Sequence, residues 1–296
     1  MVNDWKNRLN DYTNMVDAYL LEQVSDASSL QKSVIEAMKY SLTAGGKRIR
    51  PVLALEFARA LGAQPKRVLP FASAIEMVHC YSLIHDDLPC MDDDDMRRGQ
   101  PSCHIQFSES TALLAGDALL TLAFESMSRH CDFFAPEQVL EAIHELSASA
   151  GVYGMIGGQV IDLESEGKRL DVEHLTQMHL LKTGALIKAS VRIGCILGGA
   201  DDDYLKHASL YAQKLGLAFQ VVDDILDVTG DAEKLGKPIG SDKGNEKNTY
   251  TSLYGLEQSK KIAEQLTEEA LQELSQLRIR DGFLRELTGL LLNREH

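Results

Sequence analysis

Two aspartate-rich stretches contain the side chains of this sequence that are best suited to chemistry. One covers residues 86–95 and reads DDLPCMDDDD, and the other covers residues 223–227 and reads DDILD. Each follows apolar sequence, YSLI at 81–84 and LAFQVV at 217–222. Because carboxylates are rarely buried unless they are paired or bound to a metal, both stretches indicate cation sites. Carboxylate oxygens suit Mg²⁺, which completes its coordination with waters and substrate phosphate oxygens.

In the second stretch, the spacing places the carboxylates on one face of a helix. Asp223 and Asp227 are four residues apart, and Asp224 lies close to them. Gln220, three residues before Asp223, lies on the same face. We therefore expect a polar stripe that holds a metal ion, formed by Asp223, Asp224 and Asp227.

The first stretch does not fit one continuous helix face. Asp86 and Asp92 are six residues apart, which is about 120° around an ideal helix. Pro89 also disfavours helical conformation in the residue before it. We expect the helix to end near residue 88 and the chain to fold back, so that Asp92 joins Asp86.

An acidic helix end exposed to water, or a set of helix caps, is the alternative for both stretches. We favour it for Asp93–Asp95 and expect Asp95 to pair with an arginine. For Asp86, Asp87 and the second stretch we favour metal binding, because their neighbours are apolar and the pattern occurs twice. A calcium EF-hand is excluded, since its loop with a central glycine and a final glutamate is missing.

Basic residues that could bind an anion occur in two places. Residues 45–51 read GGKRIRP, and Pro51 is expected at the first position of a helix. Glycines, cations and a helix N-terminus together favour an anion site, although an ordinary turn with solvated charges has the same composition. Arg97 and Arg98 directly follow the first aspartate stretch, where they could also simply neutralise it.

Other polar residues lie at suggestive positions but also have ordinary interpretations. His79 precedes Asp86 by seven residues, on the same helix face, but a lone histidine is usually a core or capping residue. Lys182-Thr183-Gly184 interrupts a helical pattern, and Lys237 lies in a stretch rich in glycine and charge. Either lysine could be a surface residue. The glycines between 151 and 158 favour close helix packing.

Helical periodicity extends along nearly the whole chain and predicts an all-α fold, a single bundle domain over residues 1–296. The predicted helices cover residues 4–23, 28–43, 51–61, 66–88, 108–130, 136–165, 171–198, 202–229, 255–276 and 281–293. Two loops break this pattern and follow the aspartate stretches, 89–107 and 230–250. The second has the composition of an active-site lid.

Composition limits the classes of partner. The chain has 296 residues, 44% of them hydrophobic, and a net charge of −14, which argues against nucleic acid or an anionic membrane as its main partner. No uncharged apolar run approaches the ~20 residues of a membrane span, and the polar start is not a signal peptide. Five cysteines without a CxxC pair indicate unpaired thiols in a reducing cytosol.

Five motifs, in this order, resemble those of the trans-prenyl diphosphate synthases. They are GGKRIRP at 45–51, IHDDLPCMDDDDMRRG at 84–99, GGQVID at 157–162, KTG at 182–184 and FQVVDDILD at 219–227. The resemblance covers nearly the whole chain and is strongest to the bacterial branch that makes the C15 product farnesyl diphosphate. It implies an isoprenoid synthase-like helical bundle around a central cavity, a cytoplasmic homodimer and Mg²⁺-dependent chain elongation.

The resemblance also implies roles for individual residues. Three Mg²⁺ ions per site with substrate bound would be held by Asp86, Asp92, Asp223, Asp224 and Asp227. The allylic diphosphate would be held by Arg97, Lys182, Thr183, Gln220 and Lys237. Isopentenyl diphosphate would be held by Lys47, Arg50, His79 and Arg98. The residues expected to act in catalysis are Asp86, Asp87, Asp223, Asp224, Lys182 and Arg97.

The implied reaction is ionisation, condensation and elimination, in which isopentenyl diphosphate reacts with dimethylallyl and then geranyl diphosphate. Tyr81 lies five residues before Asp86, about 7.5 Å along the helix, where its ring could form the floor that limits the product to C15. Ser82 lies one residue closer to the metal face. Tyr81 could instead be only a core aromatic, and C20 or C10 products remain alternatives.

Two other classes of function compete with this interpretation. A terpene cyclase on the same fold would not need a second diphosphate site, so Lys47, Arg50 and His79 argue against it. A non-catalytic metal-binding bundle would leave both aspartate stretches unexplained. The di-iron spacing Glu-x-x-His occurs at 76–79 and 141–144, but without the pairing glutamates of such bundles. Some relatives end in a basic tail, whereas this chain ends in NREH, to which we assign no role.

Overall fold

The computed structural model describes residues 4–25, 28, 30–229, 248–279 and 282–292. In these ranges the chain is almost entirely helical, as predicted. The helices α1 to α14 are, in chain order, Asp4–Gln23, Lys32–Thr43, Ile49–Ala60, Pro65–Asp86, Cys103–Gln106, Glu109–Arg129, Pro136–Ala150, Met155–Glu164, Val172–His179, Ala185–Gly198, Asp202–Thr229, Tyr250–Tyr254, Leu256–Gln276 and Phe283–Leu292. A 3₁₀ turn, Cys131–Phe133, precedes α7, and a π-helical turn, Leu180–Gly184, joins α9 to α10. Two-residue strands, Met96–Arg97 and Gln100–Pro101, pair antiparallel in the loop after α4.

Helices α1 and α11 have the bounds that periodicity predicts, but other predicted helices are divided or shifted. The predicted helix 136–165 breaks at Gly151–Gly154 into α7 and α8. At Gly154 a Cβ atom would lie 2.1 Å from the carbonyl oxygen of Ser149, so the chain turns too tightly for any other residue. The predicted helix 28–43 begins only at Lys32, and the predicted helix 255–276 is preceded by the short helix α12.

The core is centred on α3, α4 and α10. Residues 51–58 of α3 are all buried, as are most of α4 and α10. A helix that is apolar on every side must be surrounded by other helices, so these three form the interior. Helix α4 packs on α3 and α6, and α10 packs on α3 and α11. The aspartate stretches therefore lie at the ends of two long helices, α4 and α11, joined through the same core.

Two findings concern membrane spans and thiols. None of the helices in the described ranges is both long and apolar enough to cross a bilayer. All five cysteines are free, as predicted: Cys80, Cys103 and Cys195 are buried, while Cys90 and Cys131 are exposed. Burial raises the pKa of the Cys80 thiol to about 12, so this residue behaves as a small apolar side chain.

Candidate active site

The first aspartate stretch folds back on itself as predicted. Helix α4 ends at Asp86, two residues before the predicted end. The Asp92 N–H then donates to the Asp86 carbonyl at 2.9 Å, and the Met91 N–H donates to Leu88 at 2.8 Å. Asp93 takes a left-handed conformation with φ of 52°, which turns the chain after this point. The backbone therefore brings Asp92 beside Asp86.

The Asp86 carboxyl lies among other charges. Its pKa is raised to about 6, chiefly by burial and also by Asp92 and Asp87, while Lys182 and Arg97 oppose the rise. Such crowding of carboxylates is relieved by a cation, so the residues present fit a divalent metal. The effect of Lys182 on Asp86 means that the lysine of the π-helical turn lies within electrostatic reach of the end of α4.

The Asp87 carboxylate forms a salt bridge with Arg97. Its side chain is 2% exposed, and the Arg97 Nε donates to both carboxylate oxygens, at 3.0 and 3.2 Å. Arg97 also lies 3.6 Å from Asp94. The prediction that Asp95 pairs with an arginine is wrong, because the carboxylate beside Arg97 is that of Asp94. The Asp95 carbonyl accepts a hydrogen bond from the Ser102 N–H. Arg97 thus neutralises the acidic stretch and faces Asp86 as well.

The second aspartate stretch lies near the C-terminal end of α11, where Asp224 and Asp227 are buried and Asp223 is half-buried. Asp224 is held on both oxygens: Gln220 Nε2 donates to one at 3.1 Å, and the Tyr250 N–H donates to the other at 2.7 Å. The Thr183 hydroxyl donates to Gln220 Oε1 at 3.0 Å. Asp224 therefore joins α11 to the start of α12, and Gln220 extends that network to the π-helical turn.

The π-helical turn explains why Lys182 lies where it does. Its Nζ donates to Asp162 Oδ2 at 2.5 Å, across from α8. A Cβ atom at Gly158 would lie 2.1 Å from the Lys182 backbone nitrogen, so α8 contacts the turn directly. On the other side, a Cβ at Gly216 would lie 3.0 Å from the Cα of Gly184. Close packing at Gly158 is confirmed, and it fixes the lysine between α8 and α11.

The basic loop at residues 45–51 lies against the first stretch. Helix α3 begins at Ile49, so Pro51 is the third helical residue and not the first as predicted. Its missing N–H still falls among the unpaired donors of the first turn. The Arg98 guanidinium donates to the Gly45 carbonyl, and a Cβ at Gly46 would lie 2.8 Å from it. Glycine is needed there for Arg98 to cross the loop.

Arg50 and His79 are half-buried near Arg98, whose charge acts on His79. Together with the exposed Lys47 of the same loop, they form the set of residues that we name the cationic pocket: Lys47, Arg50, His79 and Arg98. The Arg50 Nε is buried without a hydrogen-bond partner among the described residues. Burial lowers the pKa of His79 well below 6.5, and Arg50 and Arg98 lower it further, so the imidazole is neutral. An unpaired buried guanidinium donor beside other cations indicates a place for an anion.

Tyr81 and Ser82 lie one to two turns before Asp86. Tyr81 is buried, and its ring meets the His85 ring edge-on at 5.6 Å between centroids. The His85 ring in turn touches Gly116 of α6, where a Cβ would lie 2.1 Å from its Nε2. The Ser82 hydroxyl donates to the His79 carbonyl at 2.9 Å. Tyr81 is thus buried against His85, which is compatible with a floor and with a core aromatic.

Among the described residues, no three His, Cys, Asp or Glu side chains close around one point as an all-protein metal cage would require. Mg²⁺ commonly uses one or two carboxylates and takes its other ligands from water and phosphate. Lys237, most of the predicted lid at 230–250 and the C-terminal NREH lie outside the described residues.

Three polar residues of the site were not predicted from the sequence. Asp162 holds Lys182, Glu76 pairs with Arg48 at 2.8 Å, and His179 is buried against Tyr250. Asp162 ends the motif GGQVID, so its position was visible but its partner was not. The pairing of Glu76 with Arg48 also removes it from any Glu-x-x-His metal site with His79.

Comparison with known proteins agrees with this geometry. The polyprenyl synthetase family model matches residues 31–279. The chain is 44% identical over 292 residues to a farnesyl diphosphate synthase of Geobacillus stearothermophilus, covering 97% of both chains. It is 48% identical over 244 residues to the large subunit of a heterodimeric geranylgeranyl pyrophosphate synthase of Arabidopsis thaliana, covering 81% of this chain and 66% of that protein. A geranyltransferase structure from Helicobacter pylori, in complex with magnesium and isoprenyl diphosphate, superposes with a TM-score of 0.85 at 38% identity, covering 97% of this chain and 96% of the other.

Proposed function

The chain belongs to the polyprenyl synthetase family. On that premise we propose that the two aspartate stretches bind one substrate of the reaction and that the cationic pocket binds the other. It is a chain-elongating prenyltransferase of the farnesyl diphosphate synthase type. Dimethylallyl and then geranyl diphosphate each react with isopentenyl diphosphate, and farnesyl diphosphate is the C15 product.

The observation that carries this division is that Lys182 and Arg97 both lower the pKa of the Asp86 carboxyl while Asp92 and Asp87 raise it, so these charges lie within electrostatic reach of one another. We assign the allylic diphosphate to this place. Its phosphate oxygens would share Mg²⁺ with Asp86, Asp92 and Asp223, and would accept from Lys182, Thr183, Gln220, Arg97 and Lys237.

Asp224 and Asp227 are assigned to the metal-binding face of α11 together with Asp223, and Asp224 has a further role there. Asp224 already accepts from Gln220 and from the Tyr250 N–H, so this role is to orient the face. Asp87 similarly orients Arg97. We therefore place the strongest metal dependence on Asp86 and Asp223, with Asp224 and Asp87 acting in catalysis through the residues that they hold.

Isopentenyl diphosphate is assigned to the cationic pocket. This site needs no metal, because Lys47, Arg50 and Arg98 supply positive charge and the buried Arg50 Nε supplies a donor. His79, being neutral, would donate one hydrogen bond without adding charge. Two diphosphate sites of different character distinguish an elongase from a terpene cyclase, which needs only the first.

The chemistry follows from this arrangement. Mg²⁺, when bound, supplies charge that stabilises the leaving diphosphate. Lys182 and Arg97 add fixed donors where negative charge grows as the allylic C–O bond breaks. The double bond of isopentenyl diphosphate then attacks the allylic cation, forming the new C–C bond. A proton leaves the adjacent carbon for the departing diphosphate, which restores a double bond and requires no protein nucleophile.

Several finer properties belong to the same proposal. Three Mg²⁺ ions would serve each site, and the magnesium and isoprenyl diphosphate in the Helicobacter pylori relative support the choice of metal. We further propose that the chain forms one domain, assembles as a homodimer and acts in the cytoplasm. Tyr81 would limit the product to C15, and Ser82→Phe would shorten it by filling space nearer the metal face.

One incubation tests the function. Dimethylallyl and isopentenyl diphosphates are supplied with Mg²⁺, the products are dephosphorylated, and the alcohols are sized by chromatography. The expected main product is C15. A C20 main product would instead favour the type of enzyme found in the Arabidopsis relative, and no condensation would contradict the proposal outright.

A further inference from the structure

Arg48 lies between the two cations of the basic loop, yet it does not point to the same place. Its side chain is almost fully buried and reaches three helices. The Nε donates to Asp17 of α1 at 2.8 Å, one Nη donates to Glu76 of α4 at 2.8 Å, and the other donates to the Leu42 carbonyl of α2 at 2.5 Å. Three of the five N–H donors of Arg48 are thus bound by protein groups, and its burial leaves the others little access to a substrate.

The backbone at Arg48 supports a specific role. The residue caps α3 with φ of 49°, a left-handed conformation that non-glycine residues adopt at a cost. We infer that this conformation directs the Arg48 side chain toward Asp17, Glu76 and Leu42, while Lys47 and Arg50 remain available to the cationic pocket. The three bonds of Arg48 therefore fix the point at which the loop changes direction.

The role of Arg48 depends on its ion-pair partner Glu76. Glu76 is 3% exposed, and its negative charge acts on Arg50 and Arg98 as well as on Arg48. Burial lowers the pKa of Arg50 and of Arg98, and the charge of Glu76 opposes this lowering. A buried carboxylate takes the donors that are within its reach. The buried Nε of Arg50 has no hydrogen-bond partner among the described residues, so it is a donor that Glu76 could recruit.

We propose that Arg48 is a positioning residue for the isopentenyl diphosphate site. By pairing with Glu76, it prevents this carboxylate from neutralising Arg50 and Arg98, and by tying the loop to three helices it keeps those cations turned toward the diphosphate. The proposal rests on the assignment of the cationic pocket to isopentenyl diphosphate. It adds two residues, Arg48 and Glu76, that no substrate contact would reveal.

The chain offers a matched control for the loss of a buried ion pair. Glu56, also on α3, is fully buried and accepts from Arg8 at 3.1 Å, from Arg59 at 2.7 Å and from Tyr12 at 3.0 Å. This cluster has the same chemistry as the pair of Arg48 with Glu76, but it does not involve the cationic pocket. Glu56→Gln therefore reports what the loss of a buried carboxylate does by itself.

The test combines titration calorimetry of isopentenyl diphosphate, without allylic substrate, with steady-state kinetics for both substrates. Arg48→Met should weaken binding of isopentenyl diphosphate by about 10- to 100-fold, the range expected when a charge-assisted bond is lost. The KM for geranyl diphosphate should change by less than about threefold. Adding Glu76→Gln to Arg48→Met should restore most of the lost affinity, because the competing carboxylate is gone.

Other outcomes decide against the proposal. A double variant that binds no better than Arg48→Met would show that Glu76 does not compete for the cations. Equal losses for both substrates, or the same selective loss in Glu56→Gln, would reduce Arg48 to a general support of the fold. If Arg48→Met does not fold, Glu76→Gln alone decides: its affinity for isopentenyl diphosphate should equal or exceed that of the wild type, and a tenfold loss would overturn the idea.

The same measurements separate this proposal from the function on which it depends. A wild type that binds isopentenyl diphosphate but forms no product would contradict the elongase assignment, while the comparison of variants by calorimetry would still stand. A wild type that does not bind isopentenyl diphosphate would overturn both.

Discussion

A single methyl group added at Gly158 should displace Lys182 without touching any charged atom. The Cβ of Gly158→Ala would lie 2.1 Å from the Lys182 backbone nitrogen and 2.6 Å from its Cα. Ordinary contacts begin near 3.5 Å, so α8 and the π-helical turn must separate by about 1.4 Å. The atoms that clash belong to backbone, which cannot rotate away as a side chain would.

The consequences for activity follow from the contact of Lys182 with Asp162. Asp162 lies one helical turn after Gly158 on α8, so the separation strains the bond between the two charged groups as well. A misplacement of about 1 Å at a group that positions substrate costs roughly 100-fold in rate, or about 2.7 kcal/mol of transition-state stabilisation. The overpacking itself should cost about 1–3 kcal/mol of folding stability.

The assay is kcat/KM for geranyl diphosphate at saturating isopentenyl diphosphate, with thermal unfolding measured alongside. The control is Gly198→Ala, whose Cβ would lie 2.7 Å from the Leu61 Cβ at the contact of α10 with the end of α3. This control should lose stability but keep kcat/KM within about threefold, because no site residue moves. A folded Gly158→Ala enzyme with wild-type kcat/KM would refute the reasoning that this contact positions Lys182.

Four further outcomes are expected. Asp223→Ala should nearly abolish turnover while circular dichroism remains helical, since it removes a ligand of the ion that stabilises the leaving group; ordinary activity at millimolar Mg²⁺ would contradict the assignment. Lys47→Ala should chiefly raise the KM for isopentenyl diphosphate and Lys182→Ala that for geranyl diphosphate, and the reverse pattern would exchange the two sites. Because burial raises the pKa of Asp86 to about 6 from 3.8, its ionised form destabilises the metal-free fold above about pH 6 and this penalty is relieved as the pH falls toward 4. Metal-free Asp86→Asn should therefore melt above the wild type at pH 8 but not at pH 4, and an equal difference at both would refute the shift. Tyr81→Ala should extend the product to C20 and beyond on chromatography, whereas an unchanged C15 profile would place the floor elsewhere.

Helix spacing and proline rules predicted the structure correctly where the relevant contacts are close in sequence. The four-residue spacing of Asp223 and Asp227 predicted a shared helix face, and α11 has the predicted bounds. Pro89 predicted the end of the helix and the return of Asp92, which the bond from the Asp92 N–H to the Asp86 carbonyl confirms. In both places, a residue and its effect lie within one or two turns.

Partners far apart in the chain could not be predicted in this way. Asp224 was expected to be a metal ligand because its neighbours are apolar and the aspartate pattern occurs twice, but the sequence does not indicate that the N–H of Tyr250, 26 residues later, takes one of its oxygens. The expected pairing of Asp95 failed for a different, local reason. The left-handed turn at Asp93 decides which carboxylate meets Arg97, and nothing in a run of four aspartates indicates where such a turn falls.

The net charge of a chain does not determine the charge of its binding site. A net charge of −14 argues against polyanionic partners, yet the proposed substrates are two diphosphates. The contradiction disappears at the cationic pocket, because Glu76 is paired with Arg48 and the buried Nε of Arg50 has no hydrogen-bond partner in the part of the chain that the structure describes. Anion binding is then set by which buried carboxylate is already paired, and exposed acidic residues contribute little once screened by water and salt. The same reasoning predicts that mutations of surface glutamates should leave the affinity for isopentenyl diphosphate nearly unchanged, whereas Arg48→Met, which releases the buried carboxylate of Glu76, should lower it.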